Sequence, residues 1–184
     1  VVEIENQSAA EVVVSVRPRS ASYREADILA GFATSFVCLC VLTFHPAEMD
    51  FRFFPLWVIL TFVIGALFSA NTPFVKSLLI PRGKKEEEAM RSAESLFLKD
   101  KLSRTSGRTA ILVHVSAFEK VVSFVTDLGI KRATIESALL EAKKNAEAAL
   151  AANNVESFKQ ALVALGPVLA KVHPRQANDV NELP

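Results

Sequence analysis

ILAGFATSFVCLCVLTF, residues 28–44, and FFPLWVILTFVIGALFSA, residues 53–70, decide how this chain is built. The first run carries no charge between Asp27 and His45, and the second none between Arg52 and Lys76. At about 1.5 Å of rise per helical residue, runs of 17 and 18 residues approach a hydrocarbon core of roughly 30 Å. The eight residues between them, HPAEMDFR, allow only a tight return, so both helices enter and leave on one side. The competing reading is a buried helical hairpin in a soluble α-domain. A core helix seldom lacks a polar face over about five turns, which favours the membrane. Gly31, Ala33, Ser35, Gly65, Ala66, Ser69 and Ala70 are small enough for close helix approach. Phe32, Phe36, Phe54, Trp57, Phe62 and Phe68 offer an aromatic surface to lipid or to a larger membrane partner.

The flanks predict which way the hairpin faces. Arg17, Arg19, Arg24, Lys76, Arg82, Lys84 and Lys85 lie on the side of the remaining chain, against Arg52 alone in the turn. The positive-inside rule then places both termini and the soluble part in the cytoplasm, with the hairpin in an inner, cytoplasmic-type membrane. Tyr23, Arg24, Trp57, Lys76, Arg82, Lys84 and Lys85 are the expected membrane-interface residues. The basic ones near an anionic leaflet contribute about 1 kcal/mol each.

Elsewhere the chain reads as one small α/β domain. Its 184 residues, 51% of them hydrophobic, have a net charge of +1 and a mean hydropathy of +0.29, with the apolar excess concentrated in the two runs. That charge balance offers no field for nucleic acid. The chain opens at Val1 without an initiator methionine, which implies processing or truncation. The first apolar run follows a polar, strand-like segment and not a short basic start, so it reads as a retained anchor. Cys38 and Cys40, two positions apart on a helix, cannot comfortably pair, and two cysteines make neither a disulfide framework nor a zinc site.

Ahead of the hairpin, residues 1–9 suit a helical turn or two, and AEVVVSVR (10–17) alternates as a strand stopped by Pro18. Beyond it, FVKSLLI (74–80) suits a short interfacial or strand-like piece. Residues 82–102 predict a helix whose stripe is Ala89, Ala93, Leu96 and Phe97. Glu86, Glu87 and Glu88 near its start read as a solvated face suited to the helix dipole. RTAILVHVSAF (108–118) is apolar on both faces, as an inner strand is. With KVVSFVTDLGI (120–130) it predicts a hairpin turning at Phe118 and Glu119 and closed by Gly129. Helices are expected over 131–152, with Ile135, Ala138, Leu139, Ala142, Ala146 and Leu150 inward, and over 155–172, interrupted at Gly166-Pro167. The tail at 175–184 should be extended. A helix between the first two strands permits a right-handed crossover that makes them parallel, and the hairpin adds an antiparallel partner. The expected fold is α/β: a mixed three- or four-stranded sheet covered by helices, with the transmembrane hairpin (28–70) inserted between 1–27 and 71–174.

Three ordered blocks, SAAEVVVSVRPRSASYREAD, LSRTSGRTAILVHVSAFEKVVSFVTDLGI and HPRQANDVNELP, resemble the TPM-domain family. The likeness is greatest to its bacterial branch of uncharacterised membrane proteins, kin of thylakoid photosystem II repair proteins. The resemblance implies a TPM-like fold with an inserted hairpin. It also implies a membrane-anchored accessory or assembly subunit of a larger integral-membrane complex, with a photosynthetic reaction-centre or antenna complex as a host by analogy. Its alternative implication is a membrane-tethered acid phosphatase, for which Glu119 and Asp127 are the metal candidates. A carboxylate beside a turn is more often a turn former, and the acidic clusters of a metal phosphatase are missing from the sequence. His45, His114 and His173 form no group, and neither a phosphate loop, a nucleophile elbow nor a His-Glu-x-x-His pair is present. No catalytic residue, cofactor or nucleic-acid partner is therefore expected.

Overall fold

The computed structural model describes residues 8–45, 50–100, 102 and 107–174. The expected N-terminal helical turn, beyond Ser8 and Ala9, and the extended tail at 175–184 lie outside the described residues. The chain divides into two compact units, Ser22–Lys84 and Val1–Ala21 with Lys85–Pro184.

In the unit Ser22–Lys84, α1 (Arg24–Phe44) and α2 (Phe54–Asn71) pack as a hairpin, joined through a short 3-10 turn at Phe51–Phe53. A third helix, α3 (Pro73–Leu79), occupies the stretch expected to be interfacial or strand-like. Pro73 stands in its first turn, where a missing N–H costs nothing and the fixed φ favours a helix. The two long helices have 17% and 11% of their apolar windows buried, so their hydrophobic surface points outward. Their shared face is lined by small and hydroxyl residues. Thr34 Oγ1 donates to the Thr61 carbonyl at 3.0 Å and Ser35 Oγ to the Val58 carbonyl at 2.9 Å. A Cβ on Gly31 would lie 2.8 Å from the Phe62 ring, and one on Gly65 would lie 2.8 Å from Thr34 Cγ2. Gly65→Leu is therefore expected to push the helices apart at a cost of about 1–3 kcal/mol. Ala33→Leu, at an exposed site on α1, should be neutral. Denaturant titration in detergent micelles checks this; equal midpoints for the two variants would show that the close approach is not needed.

The second unit is a three-stranded sheet of order β1-β2-β3: β1 (Glu11–Arg17), β2 (Ala110–Ser116) and β3 (Val121–Thr126). β1 and β2 are parallel, in register Glu11 to Ala110 through Arg17 to Ser116, and β2 and β3 are antiparallel. The central strand is buried at every residue, as its two-sided apolar pattern predicts. On one face α4 (Arg82–Lys99) packs Ala93, Leu96 and Phe97 against Ala110 and Leu112. On the other, α5 (Arg132–Ala151), α6 (Val155–Val163) and α7 (Gly166–Val172) cover Val12, Ile111, Val113, Val115, Val122 and Phe124. Ala89, Ala93, Leu96 and Phe97 are the four buried residues of α4, the stripe the spacing predicts. Gly166-Pro167 opens a new helix, so the expected interruption is a full break.

Gly129 corrects the expected hairpin. The β2–β3 turn is Ala117–Lys120, and Lys120, at φ 52°, supplies its left-handed position. Gly129 sits at the opposite end, where its N–H donates to the Arg108 carbonyl at 2.9 Å. Backbone atoms of Gly107 and Arg108 occupy the space a Cβ would need, so the glycine serves a close chain crossing.

Candidate functional site

The two acidic candidates are not brought together. Glu119 lies in the turn before β3 and Asp127 directly after it, so a strand of about 20 Å separates them. Asp127 forms its own turn. Its Oδ1 accepts from the Leu128 N–H at 2.7 Å, and its carbonyl accepts from Ile130 at 3.1 Å. Among the described residues no group of three or more His, Cys, Asp or Glu side chains could hold a metal ion.

Glu119 instead joins a buried polar network at the C-terminal ends of the parallel strands, the end at which open α/β sheets place their ligands. The β1–β2 ladder continues past the strands, with Ala117 N–H donating to the Arg17 carbonyl and Phe118 N–H to the Pro18 carbonyl, each at 3.0 Å. This carries Ser20 back over β2. Its N–H donates to Glu119 Oε1 at 3.0 Å, and its Oγ lies 2.7 Å from Ser116 Oγ and 3.3 Å from His114 Nε2. Ser116 in turn bonds Glu119 Oε2.

Either hydroxyl can donate in the Ser20–Ser116 bond, and the His114 ring nitrogen donates to or accepts from Ser20 according to its tautomer. In either sense the network ties the segment after Pro18 to β2 and to the turn that follows it. His114 was visible in the sequence as a polar residue inside an apolar strand. Ser20 and Ser116 were not, because only the parallel register brings residues 94 and 96 positions apart into one network.

His114 is wholly buried, and its Nδ1 has no hydrogen-bond partner among the described residues. Burial lowers its pKa below the usual 6.5, the Arg17 charge lowers it further, and Glu119 opposes both. The unfolded chain therefore binds a proton on this residue at a higher pH than the folded one. Stability contributed by neutral His114 is full above about pH 6.5 and is lost as pH falls below that toward the lowered folded value. Thermal unfolding of the protein should show a midpoint that drops between pH 7.5 and 5.5, with a shallower drop in His114→Gln. Identical slopes for the two proteins would dismiss His114 as the titrating group.

The expected membrane-interface residues fall into two sets. Arg24, Trp57 and Arg82 of the hairpin unit are exposed, and Lys85, the first residue of the other unit's second segment, is half-buried. Lys84 is paired with Glu25 at the surface. Tyr23 and Lys76, however, are buried. Tyr23 precedes α1 in a left-handed conformation, φ 48°. Lys76, 3% exposed, extends from α3 to Asp27 on α1, Nζ to Oδ2 2.8 Å, while Ser69 Oγ on α2 donates to Asp27 Oδ1 at 3.0 Å. One carboxylate thus ties all three helices together at the end of the hairpin where both termini emerge.

Compared with protein-family models, with curated proteins and with solved structures, the chain matches none.

Proposed function

We propose that this protein is a two-pass membrane-anchored accessory or assembly subunit of a larger integral-membrane complex. The carrying observation is the outward-facing apolar surface of α1 and α2. Each candidate span is 21 residues long and mostly unburied, about 31 Å of helix at the standard rise. A soluble monomer rarely exposes a contiguous apolar patch of that extent, whereas a bilayer or a membrane partner covers it. The bias of basic residues supports a cytoplasmic α/β domain with the hairpin inserted after its first strand. The likeness of the three blocks to the TPM-domain family supports a photosynthetic complex as host. A catalytic role has less support: Glu119 and Asp127 stand at opposite ends of β3.

Native membranes should release the protein only with detergent, not with alkaline carbonate, and gentle native separation should place it in a large species. Release by carbonate would remove the anchor. Migration solely as a free 20 kDa chain would remove the accessory role.

A further inference from the structure

Among the described residues β3 is an edge strand, with β2 as its one strand neighbour, and antiparallel pairing directs alternate residues toward and away from that neighbour. Asp127 N–H donates to the Ala110 carbonyl, which sets the parity: Val121, Ser123 and Val125 bond β2, while Val122, Phe124 and Thr126 point their N–H and C=O groups outward. The Val122 N–H confirms it by donating outward to Glu147 Oε1 at 3.2 Å. The opposite edge of the sheet is partly occupied at its start, where Ser8 bridges Pro174 and Ala9 N–H donates to the His173 carbonyl at 3.0 Å.

Beside the β3 edge runs an open cleft of about 300 Å³. Met90 of α4 lines it on one side and Leu139 and Leu140 of α5 on the other, with Arg132 and Lys143 among its charged residues. Apolar walls on both faces of the sheet plane, with backbone donors and acceptors between them, match what an extended strand presents: main-chain groups edge-on and side chains alternating up and down. A compact helix would satisfy none of those backbone groups.

We infer that this edge receives an extended segment of the partner protein, which adds as a fourth strand alongside β3. The inference rests on the accessory-subunit reading. Main-chain bonds to Phe124 and Thr126 supply affinity, and alternate side chains entering between Met90 and Leu139–Leu140 supply specificity, as in other strand additions. Glu147 holds the Val122 N–H in the meantime, and it swings aside when a carbonyl takes its place.

The test compares backbone amide exchange, at single-residue resolution, in the full chain alone in detergent and in the detergent-extracted native complex. Phe124 and Thr126 should exchange at least tenfold more slowly in the complex. Leu140 is 68% exposed, so Leu140→Lys should leave the unfolding midpoint unchanged. The charge should block the added strand, as charges placed at sheet edges do, and weaken retention of the partner at least tenfold. A complex in which both amides exchange as in the free chain, or which Leu140→Lys leaves intact, overturns the edge assignment while the accessory role stands. The absence of any complex removes both. If the free chain already protects the two amides and deleting residues 175–184 exposes them, the occupant is the protein's own tail and the partner strand is ruled out.

Discussion

Asp27→Leu is expected to destabilise the hairpin unit by about 3–5 kcal/mol, the cost of leaving a buried charge without its partner. The charge at stake is Lys76, 3% exposed, whose ammonium lies 2.8 Å from Asp27 Oδ2. Without the carboxylate that ammonium must either stay buried uncompensated or drag its stem toward water and loosen α3. Ser69, fully buried, loses its acceptor in the same stroke. Lys76→Met should cost less, because the Asp27 side chain is 17% exposed and keeps the Ser69 bond. The double variant Asp27→Leu with Lys76→Met should recover much of the loss, since a well-packed apolar pair often equals a buried ion pair. Lys84→Gln, which breaks only the surface pair with Glu25, should cost no more than about 1 kcal/mol. Reversible unfolding in mixed micelles ranks the four. A single variant at Asp27 no worse than Lys84→Gln would mean that the ion pair is incidental to the hairpin's packing.

That clamp also marks where the sequence stopped being readable. The apolar runs, the strand at 10–17 and the stripe of α4 were legible because each is a local pattern, a missing polar face or a period of two or 3.6. The parallel pairing was legible by connection rules alone. In the sequence Lys76 is one more basic flank, and Asp27 only the charge that ends a run, because their pairing across 49 positions leaves no periodic trace. The same holds for Ser20, Ser116 and Glu119, one in a loop, one at a strand end and one in a turn, which become one network through the β1–β2 register. Gly129 was misplaced for a related reason. A glycine after a strand signals a turn, but here the demand on it comes from a distant backbone at Arg108.

Ile111→Ala and Leu112→Ala should each destabilise the α/β unit by about 2–5 kcal/mol, through lost burial and the cavity left behind. Both side chains are essentially unexposed, at 1% and 0%. They are consecutive on β2, so they face opposite sides of the sheet, and they belong to different clusters. Leu112 meets Ala93, Leu96 and Phe97 of α4. Ile111 sits with Ile135, Leu139, Ala142 and Ala146 of α5 and Leu162, Leu165 and Leu169 beyond it. Equal chemistry should therefore give unequal local consequences. Hydrogen exchange in Leu112→Ala should quicken first in α4, while Ile111→Ala should quicken α5 and α7 and leave α4 protected. The larger cluster around Ile111 has more neighbours able to relax into the gap, which lowers its cost per atom removed; the Leu112 side has one helix to do so. Leu112→Ala is thus expected to lie at the upper end of the range. If both variants loosened the same helices, the sheet would not be separating two independent cores, and the layered arrangement of α4 against α5–α7 would have to be abandoned.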